Sequence, residues 1–312
     1  MKSRYLWMAL IILSLVFLAP SPSVAQDMLL DSTAVTPIFI SAPKGYPVQV
    51  ENYLSKNEYR DPTLHVVIEE DRYLDTDMWI ARIQIAHPSQ LRTAMAGRYG
   101  SQTTAVADNI AKRVNAVTAI NGDYHSYVNY GVVLRQGHLY RNKPSVQCDI
   151  LMLDDQGNFH TILSPTEETF TVAYEGLGGA YEDGGKVVDI FTFGPVLVQD
   201  GKQAHEAFLR PDKSENKLTQ RTVFAQVDSL SYLFVLCEGP ESPNSKGLTL
   251  QQMADYMLSL GCETAYNFDG GSSSTLVFQE KKINSLSTRK KRPISDIVYF
   301  SSGILIDEVT EK

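Results

Sequence analysis

The sequence predicts an α+β domain: a largely antiparallel or mixed β-sheet core with a few flanking helices. Three observations carry that expectation. Apolar residues alternate over short runs, as in Trp79, Ala81, Ile83 and Ile85 with Arg82 and Gln84 between them. That two-residue period marks a half-buried strand. Turn pairs such as Gln136-Gly137, Asp200-Gly201 and Asp228-Ser229 separate apolar segments, which reads as hairpins. Only two helix-then-strand units stand out, so strands and helices do not alternate as a doubly wound parallel sheet requires.

Taken in order, the chain opens with an export segment. Lys2 and Arg4 precede an apolar run over residues 6–19, broken only by Ser14, and Pro20, Pro22 and Ser23-Val24-Ala25 follow. A helix of that length reaches roughly 21 Å, against roughly 30 Å of bilayer hydrocarbon. The run fits a signal peptide over residues 1–25, cleaved after Ala25, better than an anchor. We therefore expect an exported protein, periplasmic or extracellular, with no membrane span after cleavage.

The 312 residues carry 28 basic and 36 acidic side chains, a net charge of −8. Such a balance excludes a general nucleic-acid binder, which needs basic excess to displace counterions. A hydrophobic content of 43% excludes a disordered chain. Cys148, Cys237 and Cys262 are too few for a disulfide scaffold, and no Cys/His spacing resembles a zinc site.

Residues 26–63 are rich in Pro, Ser, Thr and Tyr without a clear period. They read as an extended segment or small subdomain before one catalytic domain over 64–312. A strand is expected over 64–68. Thr103 or Thr104 caps a helix running to about Arg113, and a strand over 116–120 stops at Asn121-Gly122-Asp123. The second unit is cleaner. Thr249 and Gln252 form a capping box, and Leu250, Met253, Ala254, Met257 and Leu258 fall on one helical face. Gly261 suits a left-handed cap. The strand over 265–268 then runs into Asp269-Gly270-Gly271-Ser272-Ser273-Ser274.

That last stretch is the most informative for chemistry. Its glycines permit a sharp turn and close approach to a ligand, and its hydroxyls and N–H groups suit an anion-binding nest beside Asp269. It lacks the Lys of a P-loop and the pattern of a nucleophile elbow. A glycine turn with capping serines is the plainer alternative. Asn121-Gly122-Asp123-Tyr124-His125 is a second candidate, set against an ordinary Asn-Gly turn. Phe193-Gly194-Pro195 is a third, either a strained turn or a wall facing a sugar. Arg221 opens an apolar strand, where a guanidinium needs an ion pair or a bound anion. The basic run Lys281, Lys282, Arg289, Lys290, Lys291 and Arg292 reads mostly as a solvated loop.

Four motifs, taken in order, resemble the phosphodiester glycosidase family. They are Ala119-Ile120-Asn121-Gly122-Asp123-Tyr124, Phe193-Gly194-Pro195, Gly247-Leu248-Thr249-Leu250 and Asn267-Phe268-Asp269-Gly270-Gly271-Ser272-Ser273. The resemblance covers roughly residues 64–306 and implies hydrolysis of a sugar 1-phosphodiester. It implies site residues Asn121, Gly122, Phe193, Gly194, Arg221, Glu238, Asn267, Asp269, Gly270, Gly271 and Ser272. The chain departs from the family where Asp123 replaces a frequent Gly, Glu238 a common Asp and Asp296 a usual Asn, the last following an Arg that matches Arg292.

On this reading Asp269 stabilises the sugar cation or activates water, and Glu238 is the second carboxylate. The Gly270-Gly271-Ser272-Ser273 loop and Arg221 cradle the phosphate. Asp123, His125 and Asn267 join the substrate-binding set, and the partner is a carbohydrate phosphodiester. Two alternatives stand beside it: a glycan-binding protein without turnover, and a metal-dependent phosphodiesterase with Ca²⁺ or Mg²⁺ held by Asp123 and Asp269.

Overall fold

The computed structural model of the chain describes residues 30–210, 213–285 and 291–305. The export segment, and Arg289 and Lys290 of the basic run, lie outside them. Among the described residues the fold is α+β, with three antiparallel sheets. The largest has nine strands, in the order Tyr53–Ser55, Glu58–Arg60, Leu64–Tyr73, Thr76–Ile85, Ser231–Cys237, Arg221–Asp228, Thr264–Phe268, Val196–Gln199 and Lys202–Gln203. A second sheet of five runs Phe159–Ile162, Ile150–Asp154, Val187–Thr192, Val133–Arg135 and His138–Arg141. A third, also of five, runs Lys281–Lys282, Leu276–Phe278, Thr118–Asn121, Asp296–Phe300 and Leu91–Met95. No helix among the described residues is long and apolar enough to cross a membrane.

Side-chain alternation sets the layers. Along Arg221–Asp228, Phe224 joins the core shared with Phe191, Phe268, Val298 and Phe300, between the large sheet and the two smaller ones. Its neighbours Val223 and Ala225 face the other way, onto Leu250, Met253, Ala254 and Met257 of helix Leu250–Ser259. Thr249 and Gln252 cap that helix reciprocally, as their spacing predicts. Helix Ala107–Arg113 covers the back of the third sheet through Ile110 and Ala111, against Ala119, Ile297 and Tyr299. Tyr53–Ser55 and Glu58–Arg60 extend the large sheet beyond Leu64–Tyr73, so the segment before residue 64 feeds the same sheet.

Three local expectations shift. The first helix starts at Ala107 with no side-chain cap, because Ala105 exchanges backbone hydrogen bonds with Ile294 and stays extended. The strand expected over 116–120 is Thr118–Asn121, so Asn121 ends it in register with Ile297. The turn expected at Asp228-Ser229 sits one residue on, since Asp228 already pairs with Ser231 and Leu230 takes φ +54°. The other two hairpins turn where expected, with positive φ at Gln136 and Gly137 and at Asp200 and Gly201.

Candidate active site

Asn121 joins two sheets at their ends. Its Nδ2 donates to the Asp269 carbonyl at 2.7 Å, and its Oδ1 accepts from Thr222 Oγ1 at 3.1 Å and from the Thr275 amide at 3.0 Å. Thr222 pairs with Phe268, the last residue before Asp269. The segments around 121 and 269 therefore meet, although 148 residues separate them. They share a narrow cavity lined by Asn121, Gly122, Asp123, Tyr124, Tyr127, Asp269 and Arg292 among others. A larger one of about 310 Å³ adjoins it through Tyr124, Asp269 and Arg292, and is lined also by Tyr130, Phe193 and Arg210.

Asp269 sits at this junction. Burial raises its carboxyl above the ordinary value, and the Ser273 hydroxyl, Arg292, Arg210 and the Gly270 N–H pull it partly back. Gly270 packs its backbone on Gln220: a Cβ there would lie 2.6 Å from the Gln220 carbonyl. Gly271 takes φ +58° and donates its own N–H to that carbonyl. The loop then closes into a short 3-10 turn, Gly271–Ser273, in which Ser273 and Ser274 donate back to Gly270 and Gly271. Three of the amides expected to form an anion nest are thus spent within the fold. Ser272 keeps its hydroxyl beside Arg292 Nη1, at 3.4 Å.

The cation of the cavity is not Arg221. That guanidinium is buried and donates to the carbonyls of Leu248, Ser214 and Lys217 at 2.7–3.1 Å, and it lines neither cavity. Arg210 and Arg292 line it instead. Arg210 lies 4.0 Å over the Phe193 ring and donates to the Gly194 carbonyl at 2.7 Å. Arg292 stands 5.8 Å from the Tyr124 ring. Glu238 is buried elsewhere, accepting from Trp79 Nε1 at 3.0 Å and Ser242 Oγ at 2.8 Å, with the Ser285 amide on the same oxygen as Trp79. Neither cavity includes it.

Asn267 and Gly194 shape the wall. Asn267 Nδ2 donates to the Gly194 carbonyl at 2.9 Å, and the Phe193 amide donates to the Tyr266 hydroxyl at 2.7 Å. Gly194 takes φ +65°. Asn267 Oδ1 is buried and makes no hydrogen bond among the described residues.

Behind the narrow cavity lies a buried charge cluster that the sequence did not reveal. Arg135 Nη2 stands 2.9 Å from Asp123 Oδ1 and 2.8 Å from Asp296 Oδ2, and Arg135 Nε donates to Asp296 at 2.9 Å. Gly122 leaves room for it: a Cβ would come within 2.4 Å of Asp296 Oδ1. Asp123 Oδ2 accepts from the Thr192 amide at 3.2 Å, next to Phe193. Burial pushes the Asp296 carboxyl up to about 7, and burial holds the His125 imidazole down to about 4. Asp123, His125 and Asp296 could also hold a metal ion, each offering one ligand atom within 4.8 Å of the others. Among the described residues His125 Nε2 and Asp296 Oδ1 make no hydrogen bond, though His125 Nε2 stands 3.9 Å from Asp296 Oδ2. The Arg135 guanidinium, however, already bridges the two carboxylates. All three cysteines are free and buried.

Fold and motifs together define a class. The phosphodiester glycosidase family model matches residues 114–301, more than half of the chain. The protein belongs to that family. Among solved structures it is similar to the zebrafish N-acetylglucosamine-1-phosphodiester alpha-N-acetylglucosaminidase catalytic domain, described as auto-inhibited by its pro-peptide. That match has TM-score 0.58 and 15% identity over 83% of this chain and 87% of that one. It is also similar to a hypothetical protein from Synechocystis, with TM-score 0.53 and 13% identity over 76% of this chain and 62% of that one. At these identities the likeness shows the fold. No curated protein matches the sequence.

Proposed function

We propose that the protein is an exported hydrolase that cleaves the glycosyl–phosphate bond of a sugar 1-phosphodiester. The observation that carries this is the setting of Asp269: a half-buried carboxylate beside two arginines, in a cavity walled by Phe193 and Tyr124. A family assignment alone would not say which carboxylate acts.

Water attacks the anomeric carbon, the C1–O bond to phosphorus breaks, and the phosphate monoester departs with the bonding pair. The transition state resembles an oxocarbenium ion beside a departing anion. Asp269 faces the developing cation and takes the proton from water. Arg210 and Arg292 receive the phosphoryl oxygens. Phe193 and Tyr124 offer ring faces to the sugar. Arg221 and Glu238 serve as buried anchors on this reading, and Asp123 holds the Asn121 turn against the Phe193 segment. The mature catalytic unit is proposed to span 64–312 after removal of residues 1–25. A panel of sugar 1-phosphodiesters, nucleotide sugars included, tests the proposal by release of free reducing sugar. Binding without release on every member would favour the glycan-binding alternative.

A metal-dependent reaction is a second reading, favoured by Asp296 Oδ1 and His125 Nε2, which make no hydrogen bond among the described residues. Because Arg135 already supplies a cation there, we expect turnover to stay within about twofold after EDTA treatment. Loss on chelation, restored by Ca²⁺ or Mg²⁺, would move the reaction to the metal-assisted class.

A further inference from the structure

A second cavity of about 330 Å³ lies against the first and shares Arg210 with it. Phe193 and Cys148 line the first; Pro195, two positions after Phe193, and Asp149, next to Cys148, line the second. Into this second cavity projects His205, whose Nε2 lies 2.6 Å from Asp149 Oδ2. Asp149 is 5% exposed and already accepts from two backbone amides, Ser164 at 2.8 Å and Val196 at 2.9 Å. The carboxylate therefore does not need the imidazole to be satisfied; rather, it fixes the ring. With Nε2 donating to the carboxylate, Nδ1 is the ring nitrogen left to meet a ligand. Nδ1 makes no hydrogen bond among the described residues, and the side chain remains 21% exposed. A histidine held by one nitrogen, with its ring lining a cavity, is built to offer the other nitrogen to a ligand hydroxyl.

We propose that His205 is a further substrate-contacting residue: Nδ1 hydrogen-bonds a hydroxyl of the group on the leaving side of the phosphate that Arg210 holds. The inference rests on the hydrolase reading and deepens it. The leaving group it fits is a phosphorylated polyol or sugar, bearing a hydroxyl a few bonds from phosphorus, rather than a bare alkyl phosphate.

The test compares two diesters of one hexose 1-phosphate, with methanol or glycerol as the leaving alcohol, on wild type, His205→Ala and His205→Gln. His205→Ala is expected to raise KM for the glycerol diester about tenfold more than for the methyl diester, with His205→Gln recovering part of the difference. Equal effects on both diesters, or none, would overturn the proposal. A second arm does not depend on turnover. Glycerol 3-phosphate is titrated into ¹⁵N-histidine-labelled wild-type protein, and the His205 Nδ1 resonance is expected to shift saturably, while inorganic phosphate moves it much less. An unmoved resonance would overturn the proposal. A responsive His205 in a protein that cleaves neither diester would support this site and count against the hydrolase reading alone.

Discussion

Asp269→Asn is expected to lower kcat on a sugar 1-phosphodiester by about 10³-fold, within the range that a positioned acid–base group supplies. The amide keeps the size of the carboxylate and can still meet the Ser273 hydroxyl, so folding should be preserved. What it loses is the negative charge opposite the anomeric carbon and the ability to take a proton from water. Substrate binding should change little, because Arg210 and Arg292 hold the phosphate; KM should stay within a few-fold. The pH profile follows from the raised carboxyl. Asp269 works ionised, so wild-type kcat/KM rises as pH climbs through a pKa above the ordinary carboxylate range, and that limb disappears in Asp269→Asn. Steady-state kinetics from pH 4 to 8, with circular dichroism as the folding control, check both parts. Full activity in a folded Asp269→Asn variant would refute the assignment.

Arg135→Met carries the largest expected effect on stability, a loss of about 3–5 kcal/mol, as is usual when one partner of a buried ion pair is removed. Arg135 is 4% exposed and stands within 3 Å of both Asp123 and Asp296. Without it two buried carboxylates lose their shared cation. The loss should grow with pH. Burial raises the folded-state pKa of Asp296 to about 7, so the folded protein binds a proton there more readily than the unfolded chain does. That contribution is fully present below the unfolded value of about 4 and is lost as pH rises through about 7. The Arg135 guanidinium holds the Asp296 carboxyl down, so without it the folded-state value climbs further. The variant then goes on losing stability above about pH 7, where wild type levels off. Urea unfolding should therefore show Arg135→Met more damaged at pH 8 than at pH 5. Changing Asp123 and Asp296 to Asn in the same chain should restore most of the stability. A cost under about 1 kcal/mol at pH 8 would show that the cluster does not bear on the fold in this way.

The sequence made the strands, the capped helix and two of the three hairpin turns legible, because each rests on local signals: a two-residue period, a Thr/Gln capping box, a pair of positive-φ residues. It also pointed to the meeting of the Asn121 and Asp269 segments, through the family pattern. What it could not show was which charges face the cavity. Arg221 and Arg210 are both arginines near apolar stretches and both donate to backbone carbonyls, and only the tertiary fold decides that the first lies away from the cavity while the second lines it over Phe193. Glu238 likewise reads as a strand-end carboxylate until Trp79 and Ser242, one of them 159 residues distant, are seen to occupy it. The glycine–serine loop suggested a nest by composition, yet the Ser273 and Ser274 amides close a 3-10 turn and the Gly271 amide is taken by the Gln220 carbonyl. Arg135 and His205 had no local signature at all; Asp296 lies 161 residues from Arg135 and Asp149 lies 56 from His205.

The most direct test of the account asks which bond breaks. Cleavage of a sugar 1-phosphodiester is run in H₂¹⁸O and both products are analysed by mass spectrometry, with corrections for exchange at the reducing carbon. Attack at the anomeric carbon places the label in the free sugar and leaves the phosphate monoester unlabelled. Label in the phosphate would mean attack at phosphorus, a phosphodiesterase reaction in which Asp269 does not face a sugar cation, and the central claim would be wrong.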